Sequence, residues 1–326
     1  MADLSVLFVG LGSIGRRHLR NLHAVSRKLG LEVTVEALRH AGGVLEPDVA
    51  GLLSAQHTAS SSLKDSYDIV FICNPSQMHV ETLLDLKDRG KCFFVEKPVA
   101  VEPISEPVMR SLGDPRRYCV ACPLRHSLVY EAIRDFAAHN RVLSARALCT
   151  SYLPEWRPKA DYRRLYSARR DSGGVKIDLI HEFDYLFSLF GFPESACLLE
   201  RKVSDLEIEC SDIAVFAAMY PKMSLEVHLD YFGRKAERTL RLWTPDDIVE
   251  FDFIVGTQTS LRTGKPSHIG DTSFEEVYLR EMERFVRFAN GDGDNVNDLY
   301  FANGVLLEVF SAGRTVSQTR TEVRGG

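Results

Sequence analysis

Short apolar runs alternate with amphipathic stretches over the first third of the chain. Residues 4–9, 32–38, 67–73, 91–95 and 118–122 each concentrate apolar side chains in a window of strand length. After the first run, Leu19, Leu22, Val25 and Leu29 recur at helical spacing, and Gly30 supplies a stop. Residues 77–89 read as a second helix, with Ser76 as its expected cap and Gly90 as its end. Runs without a polar face, each leading into a helix, predict a parallel sheet covered on both sides. Residues 41–63, with Gly42-Gly43 and Ser60-Ser61-Ser62, read only as loop.

From Val142 onward the pattern changes. Residues 142–150, 196–203, 212–220, 224–231, 238–243 and 248–253 follow one another as candidate strands, several with period-two alternation. Pro221-Lys222 and Pro245-Asp246-Asp247 supply turns. That predicts a mostly antiparallel sheet with one face free to pair with another subunit. Residues 128–138, 274–289 and 297–317 read as helices, with a frayed tail after Thr319. The change of pattern divides the chain into residues 1–122 and 123–326, an α/β domain followed by an α+β one.

The first run leads straight into Gly10-Leu11-Gly12-Ser13-Ile14-Gly15, a G-x-G-x-x-G between a strand and a helix. Gly10 makes the turn, Gly12 lets the backbone approach a pyrophosphate, and Gly15 permits close packing of helix on strand. The helix start then supplies amide donors for phosphates, so dinucleotide binding is expected. An acid at the end of the second strand would take the ribose 2′-hydroxyl of NAD. Here the strand ends Ala37-Leu38-Arg39-His40, and Arg39 suits a 2′-phosphate, so the reading leans to NADP over NAD. Glu36 bending in remains the alternative.

The run ending Glu96-Lys97-Pro98 sets a carboxylate and an ammonium at the carboxyl end of a buried strand, where ligands collect in such sheets. Lysine there can hydrogen-bond a substrate hydroxyl or shuttle its proton. A solvated strand-end ion pair is the alternative. Asn74-Pro75-Ser76 closes the preceding strand, and His79 falls in the next helical turn with a supporting role.

Composition narrows the partner. A net charge of -5 argues against nonspecific nucleic-acid or acidic-membrane binding, and no run reaches the ~20 apolar residues of a span. Seven scattered cysteines fit a reducing compartment, so cytoplasmic residence is the default. Cys119 and Cys122 lie in a strand and face opposite sides, which makes them buried apolar residues; no metal is expected.

In the second half, Gly173-Gly174 precede a helix expected over residues 175–190. Asp178, His181, Glu182 and Tyr185 would share one arc of it, and a histidine oriented by a carboxylate is a general acid/base pair. A polar stripe facing water would look the same. Before it, Arg157, Lys159, Arg163, Arg164, Arg169, Arg170 and Lys176 stand against only Asp161 and Asp171. Arginine grips phosphate and carboxylate in a fork, so an anionic substrate is one reading and a solvated loop the other. Trp156, Tyr162 and Tyr166 interleave with these cations and could stack on a sugar.

Taken together these motifs resemble the Gfo/Idh/MocA oxidoreductases. The marks are the Gly10 to Gly15 turn, Asn74-Pro75-Ser76 with His79 and Glu81, Gly90-Lys91 followed by Glu96-Lys97-Pro98, and Gly173-Gly174 with Asp178, His181 and Asp184. The resemblance implies an N-terminal Rossmann domain, a C-terminal domain on an open, mostly antiparallel sheet, and hydride transfer between NAD or NADP and a hydroxyl-bearing carbon of a sugar, sugar nucleotide, sugar acid or cyclitol. It implies Lys97 on the reacting oxygen, His181 as acid/base, Asp178 or Asp184 as its partner, and Arg125 near cofactor and substrate. A homodimer or homotetramer through the C-terminal sheet follows from the same likeness. The same fold also serves dinucleotide-sensing regulators and NAD-dependent glycoside hydrolases.

Overall fold

The strands Asp3–Val9 (β1), Glu32–Leu38 (β2), Ala55–His57 (β3), Tyr67–Ile72 (β4), Gly90–Val95 (β5) and Tyr118–Val120 (β6) form one parallel sheet in a computed structural model that describes residues 3–40, 43–170 and 173–323. Its order is β3-β2-β1-β4-β5-β6, so the direction of strand addition reverses between β1 and β4. The helices that follow are Ser13–Leu29 (α1), Pro47–Ala50 (α2), His79–Leu86 (α3) and Glu106–Leu112 (α4). The strand β3 escaped sequence reading because three residues carry no period; Ala41 and Gly42, in the same segment, lie outside the described residues.

Two boundaries differ from the sequence expectation. Ser76 is not a side-chain cap: Ser76–Met78 is a 3-10 turn, and α3 starts only at His79. Gly90 does not end that helix but opens β5, where an added Cβ would collide with Phe93 and Val70.

The second sheet contains Ser144–Tyr152 (β7), Ser195–Arg201 (β8), Ile213–Met219 (β9), Ser224–Asp230 (β10), Phe232–Trp243 (β11), Ile248–Asp252 (β12), Thr257–Ser260 (β13) and Lys265–His268 (β14). Its order is β14-β13-β12-β11-β7-β10-β9-β8, antiparallel throughout except for the β7–β10 pair. Burial alternates strictly along β9, the signature of a sheet with one covered and one open face. The remaining helices are Leu128–His139 (α5), Val175–Asp178 (α6), Ile180–Phe190 (α7), Phe274–Ala289 (α8) and Leu299–Val323 (α9).

The chain resolves into two compact units, Met1–Pro123 with Val277–Gly304, and Leu124–Glu276 with Val305–Gly326. A single division after Cys122 misses the returning segment. Met282, Phe285 and Val286, spaced as one face of α8, enter the core around β1 and β4. There the Phe285 ring packs edge-on against Phe71 and Phe94, with centroids 5.4 and 5.0 Å away. Among the described residues, no helix is long and apolar enough to cross a membrane.

Candidate active site

In the first unit, three strand ends are tied together by buried polar groups. The β1–α1 turn closes through the Gly10 amide on the Leu38 carbonyl, 3.0 Å away at the end of β2. Gly10 has φ 88°, and a Cβ on it would meet the Asn74 backbone at 2.8 Å, so only glycine makes this turn. A Cβ on Gly15 would strike the Gly10 carbonyl, which keeps α1 hard against β1. Gly12 is different: among the described residues nothing lies within 4 Å of its Cβ position. That opening, beside the amides of Ser13 and Ile14 in the first turn of α1, leaves room for a pyrophosphate at backbone distance.

Around the end of β5, Glu96 is buried and receives His18 Nε2 at 2.5 Å and the Lys97 amide at 3.1 Å. Burial pushes its pKa up, but the His18 hydrogen bond and charge, with Lys97, hold it below the usual carboxylate range. Lys97 itself is half-buried, and its peptide bond to Pro98 is cis. His79, expected in a supporting role, is fully buried, Nδ1 3.0 Å from the Pro98 carbonyl and Nε2 2.9 Å from that of Asn74. Burial keeps its pKa below the ordinary histidine value, outweighing the two carbonyls and the Glu96 charge. The ring therefore splints the ends of β4 and β5. Asn74 gives its Nδ2 to Thr82 at 2.8 Å, while its buried Oδ1 has no partner among the described residues.

At the end of β2, Arg39 reaches Gln56 Oε1 at 3.0 Å and the Gly43 carbonyl. Glu36 does not bend toward this end. It is buried among Tyr67 Oη at 2.7 Å, Lys64 Nζ at 2.8 Å and His57 Nε2 at 3.0 Å.

In the second unit, the helix expected over residues 175–190 is broken. Asp178 ends α6, Leu179 serves as the last cap of one helix and the first of the next, and His181 sits in the first turn of α7. The shared helical arc is thereby lost. Glu182 and Tyr185, expected beside Asp178 and His181, are fully buried. Glu182 Oε1 lies 2.9 Å from Arg238 Nε, and burial still pushes the carboxyl above its usual range. Asp178 is also buried, with its Oδ2 2.6 Å from the Tyr231 hydroxyl. Arg125, expected near cofactor and substrate, is buried with its guanidinium forked onto Asp184: Nε to Oδ2 at 2.8 Å and Nη2 to Oδ1 at 2.8 Å.

Two of the seven cations pair with acids from outside the loop. Arg163 pairs with Asp161 and Glu207, each at 2.8 Å, and Lys176 pairs with Glu200 at 2.5 Å. Arg157 lies over the Tyr166 ring, and the Tyr162 hydroxyl accepts the Glu207 amide at 3.2 Å. Arg164, Arg169 and Arg170 line, with Glu207 and Glu209, a cavity of about 770 Å³. Asp171, the second acid of that count, lies outside the described residues. Trp156 and Tyr166 are the exposed aromatics of this loop; Trp156 Nε1 donates to Ser151 Oγ at 2.9 Å and its ring meets Tyr231 edge-on. Tyr231, His18 and Arg238 carried no motif, since each partner lies more than fifty residues away in sequence.

Residues 4–108 match the family described as "Oxidoreductase family, NAD-binding Rossmann fold", Gfo/Idh/MocA. A 4-carboxy-2-hydroxymuconate-6-semialdehyde dehydrogenase of Sphingobium is 30% identical over 101 residues, a match that spans 30% of this chain and 30% of that relative's length. Among solved structures, an NAD-binding oxidoreductase from Klebsiella pneumoniae superposes with TM-score 0.80 at 15% identity, covering 98% of each chain. A levoglucosan dehydrogenase in complex with NADH and levoglucosan gives TM-score 0.78 at 15% identity over 96% of this chain and 98% of that one. These likenesses establish the fold across nearly the whole chain, and within it residues 4–108 match the Gfo/Idh/MocA oxidoreductases with their NAD-binding Rossmann fold.

Proposed function

We propose that this protein is an NADP-preferring oxidoreductase that moves a hydride between a nicotinamide and a hydroxyl-bearing carbon of an anionic carbohydrate derivative. One observation carries the reading. The strand order reverses between β1 and β4, and the glycine turn, Asn74 and Lys97 directly follow the carboxyl ends of β1, β4 and β5. In open α/β sheets that is where a dinucleotide lies.

The residues present fit such a cofactor. Gly12 is open to a pyrophosphate, with Ser13, Ile14 and Gly15 beginning the helix behind it; Asn74 Oδ1 is a buried acceptor; Ser76 borders the same loop. Arg39 stands at the end of β2 where an NAD-specific site has an acid, and Glu36 is committed to His57, Lys64 and Tyr67. These two facts support the 2′-phosphate. When bound, the nicotinamide supplies the hydride acceptor or donor.

Lys97, in this reading, holds the reacting hydroxyl oxygen and stabilises the alkoxide that develops as the hydride leaves. Glu96 and His79 fix the backbone from which Lys97 projects. His181 takes the hydroxyl proton, and Asp178 is its carboxylate partner, since both oxygens of Asp184 are taken by Arg125. The levoglucosan bound by one structural neighbour supports a sugar-like substrate, and Arg164, Arg169 and Arg170 around their cavity support one bearing a phosphate or carboxylate. Leu199, Val215 and Met219, exposed on β8 and β9, support self-association through the open sheet face.

The test is Lys97→Met. NADPH affinity should stay within about twofold while turnover falls by roughly three orders of magnitude, the scale of losing one positioned electrostatic stabiliser. Undiminished turnover with a substrate found by screening sugar acids and sugar phosphates would remove Lys97 from the reaction.

A further inference from the structure

Tyr231 stands between β10 and β11, and no motif marks it. Its ring is fully buried, yet its hydroxyl donates at 2.6 Å to Oδ2 of Asp178, a carboxylate that is itself only 4% exposed. The backbone on both sides is fixed: the Tyr231 amide donates to the Asp212 carbonyl at 3.0 Å, and its carbonyl accepts the Leu153 amide at 2.9 Å. The latter bond pins the first turn of the segment that carries Trp156. The Trp156 ring meets the Tyr231 ring at 87°, with centroids 5.3 Å apart, while remaining exposed on its other side. One phenol thus touches the carboxylate through oxygen and the exposed tryptophan through carbon.

Resting on the oxidoreductase reading above, we propose that Tyr231 is a positioning residue: its hydroxyl fixes the rotamer and charge of Asp178, and its ring links that carboxylate to Trp156 in the loop before α6. The physical case is that a buried carboxylate needs donors to stay ionised. A phenol at 2.6 Å is a charge-assisted bond, stronger and more directional than a neutral one. The break at Leu179 fits this purpose, because Asp178 ends its own short helix and turns to Tyr231 while α7 continues separately with His181. The titratable groups that bear on the Tyr231 phenol besides Asp178 are the Cys210 thiol, 3.1 Å from the Ser167 carbonyl, and Tyr166.

The experiment is a cycle of Tyr231→Phe, Asp178→Asn and the double variant in the full-length protein, with two readouts. Unfolding by urea without ligand reads the bond itself. Kinetics reads its use. Tyr231→Phe removes one oxygen and keeps the ring under Trp156, so the fold is retained. The expected result is non-additive stability, kcat lowered about tenfold with KM and NADPH affinity within twofold, and an acid limb of the pH–rate profile moved upward by about one unit, because a carboxylate that loses a donor is more easily protonated. Asp178→Asn should lower kcat further and make the second substitution silent. If Asp178→Asn impairs turnover while Tyr231→Phe leaves kcat and the pH profile unchanged, the inference is wrong and Tyr231 is merely core. An unimpaired Asp178→Asn would instead sink the assignment of Asp178 in the oxidoreductase reading, a result the stability cycle keeps distinct from loss of the hydrogen bond.

Discussion

Glu96 and Glu182 are both buried carboxylates, one in each unit, and their surroundings push them in opposite directions. Burial raises both. At Glu96 a histidine at 2.5 Å, the Lys97 amide and the Lys97 charge outweigh it, and the group stays ionised. At Glu182 the Arg238 guanidinium is 2.9 Å away, yet among the described residues neither carboxylate oxygen has a well-formed hydrogen bond, and burial holds the group above its usual range. The difference teaches that proximity of opposite charge is not enough in a dry interior; directed donors decide which form is held. It also separates the two units by task. In the first, the carboxylate organises the backbone that presents Lys97. In the second, the pair anchors α7 on the sheet, opposite β7 and β11.

Breaking the Glu182 pair should have the largest effect on stability. Arg238→Met leaves a buried carboxyl without its cation and should cost about 3–5 kcal/mol, read as a lowered urea midpoint with unchanged slope. A loss below about 1 kcal/mol would show that Glu182 is already neutral when paired.

Glu96→Gln should cost less, about 1.5–3 kcal/mol, since the amide keeps the shape but loses the charge that His18 and Lys97 meet. The pH dependence sharpens the contrast. The folded pKa of Glu96 lies below its ordinary 4.5, so its contribution is complete above that value and is lost as pH falls through the folded one. Glutamine should flatten this acid limb of the stability curve; an unchanged limb would mean that other carboxylates carry it.

The same contrast explains what sequence could convey. The glycine turn was legible because each glycine answers a local demand: a positive φ at Gly10, an opening at Gly12, a close approach at Gly15. Glu96-Lys97-Pro98 was legible because a buried strand must end at the sheet's carboxyl edge. The second unit obeys no such local grammar. The polar arc Asp178, His181, Glu182 and Tyr185 assumed one helix, whereas Leu179 breaks it and the carboxylates turn to Tyr231, Arg238 and Arg125, brought in from distant strands and turns. Likewise the pairing of Arg163 and Lys176 was hidden because Glu207 and Glu200 reach the cation-rich loop only in the folded chain. His79 was placed in the right turn, but its burial between two carbonyls depends on the register of β4 and β5.

The most direct test of the whole account is a parallel titration of the purified protein with NADPH and NADH, following the fluorescence of Trp156 and Trp243, its two tryptophans. Both nucleotides should bind saturably, NADPH about tenfold tighter, a difference of about 1.4 kcal/mol for one arginine on a 2′-phosphate. Tighter NADH would overturn the role of Arg39 and leave the reaction class standing. If neither nucleotide binds, the glycine turn is only a turn, and the oxidoreductase reading is contradicted.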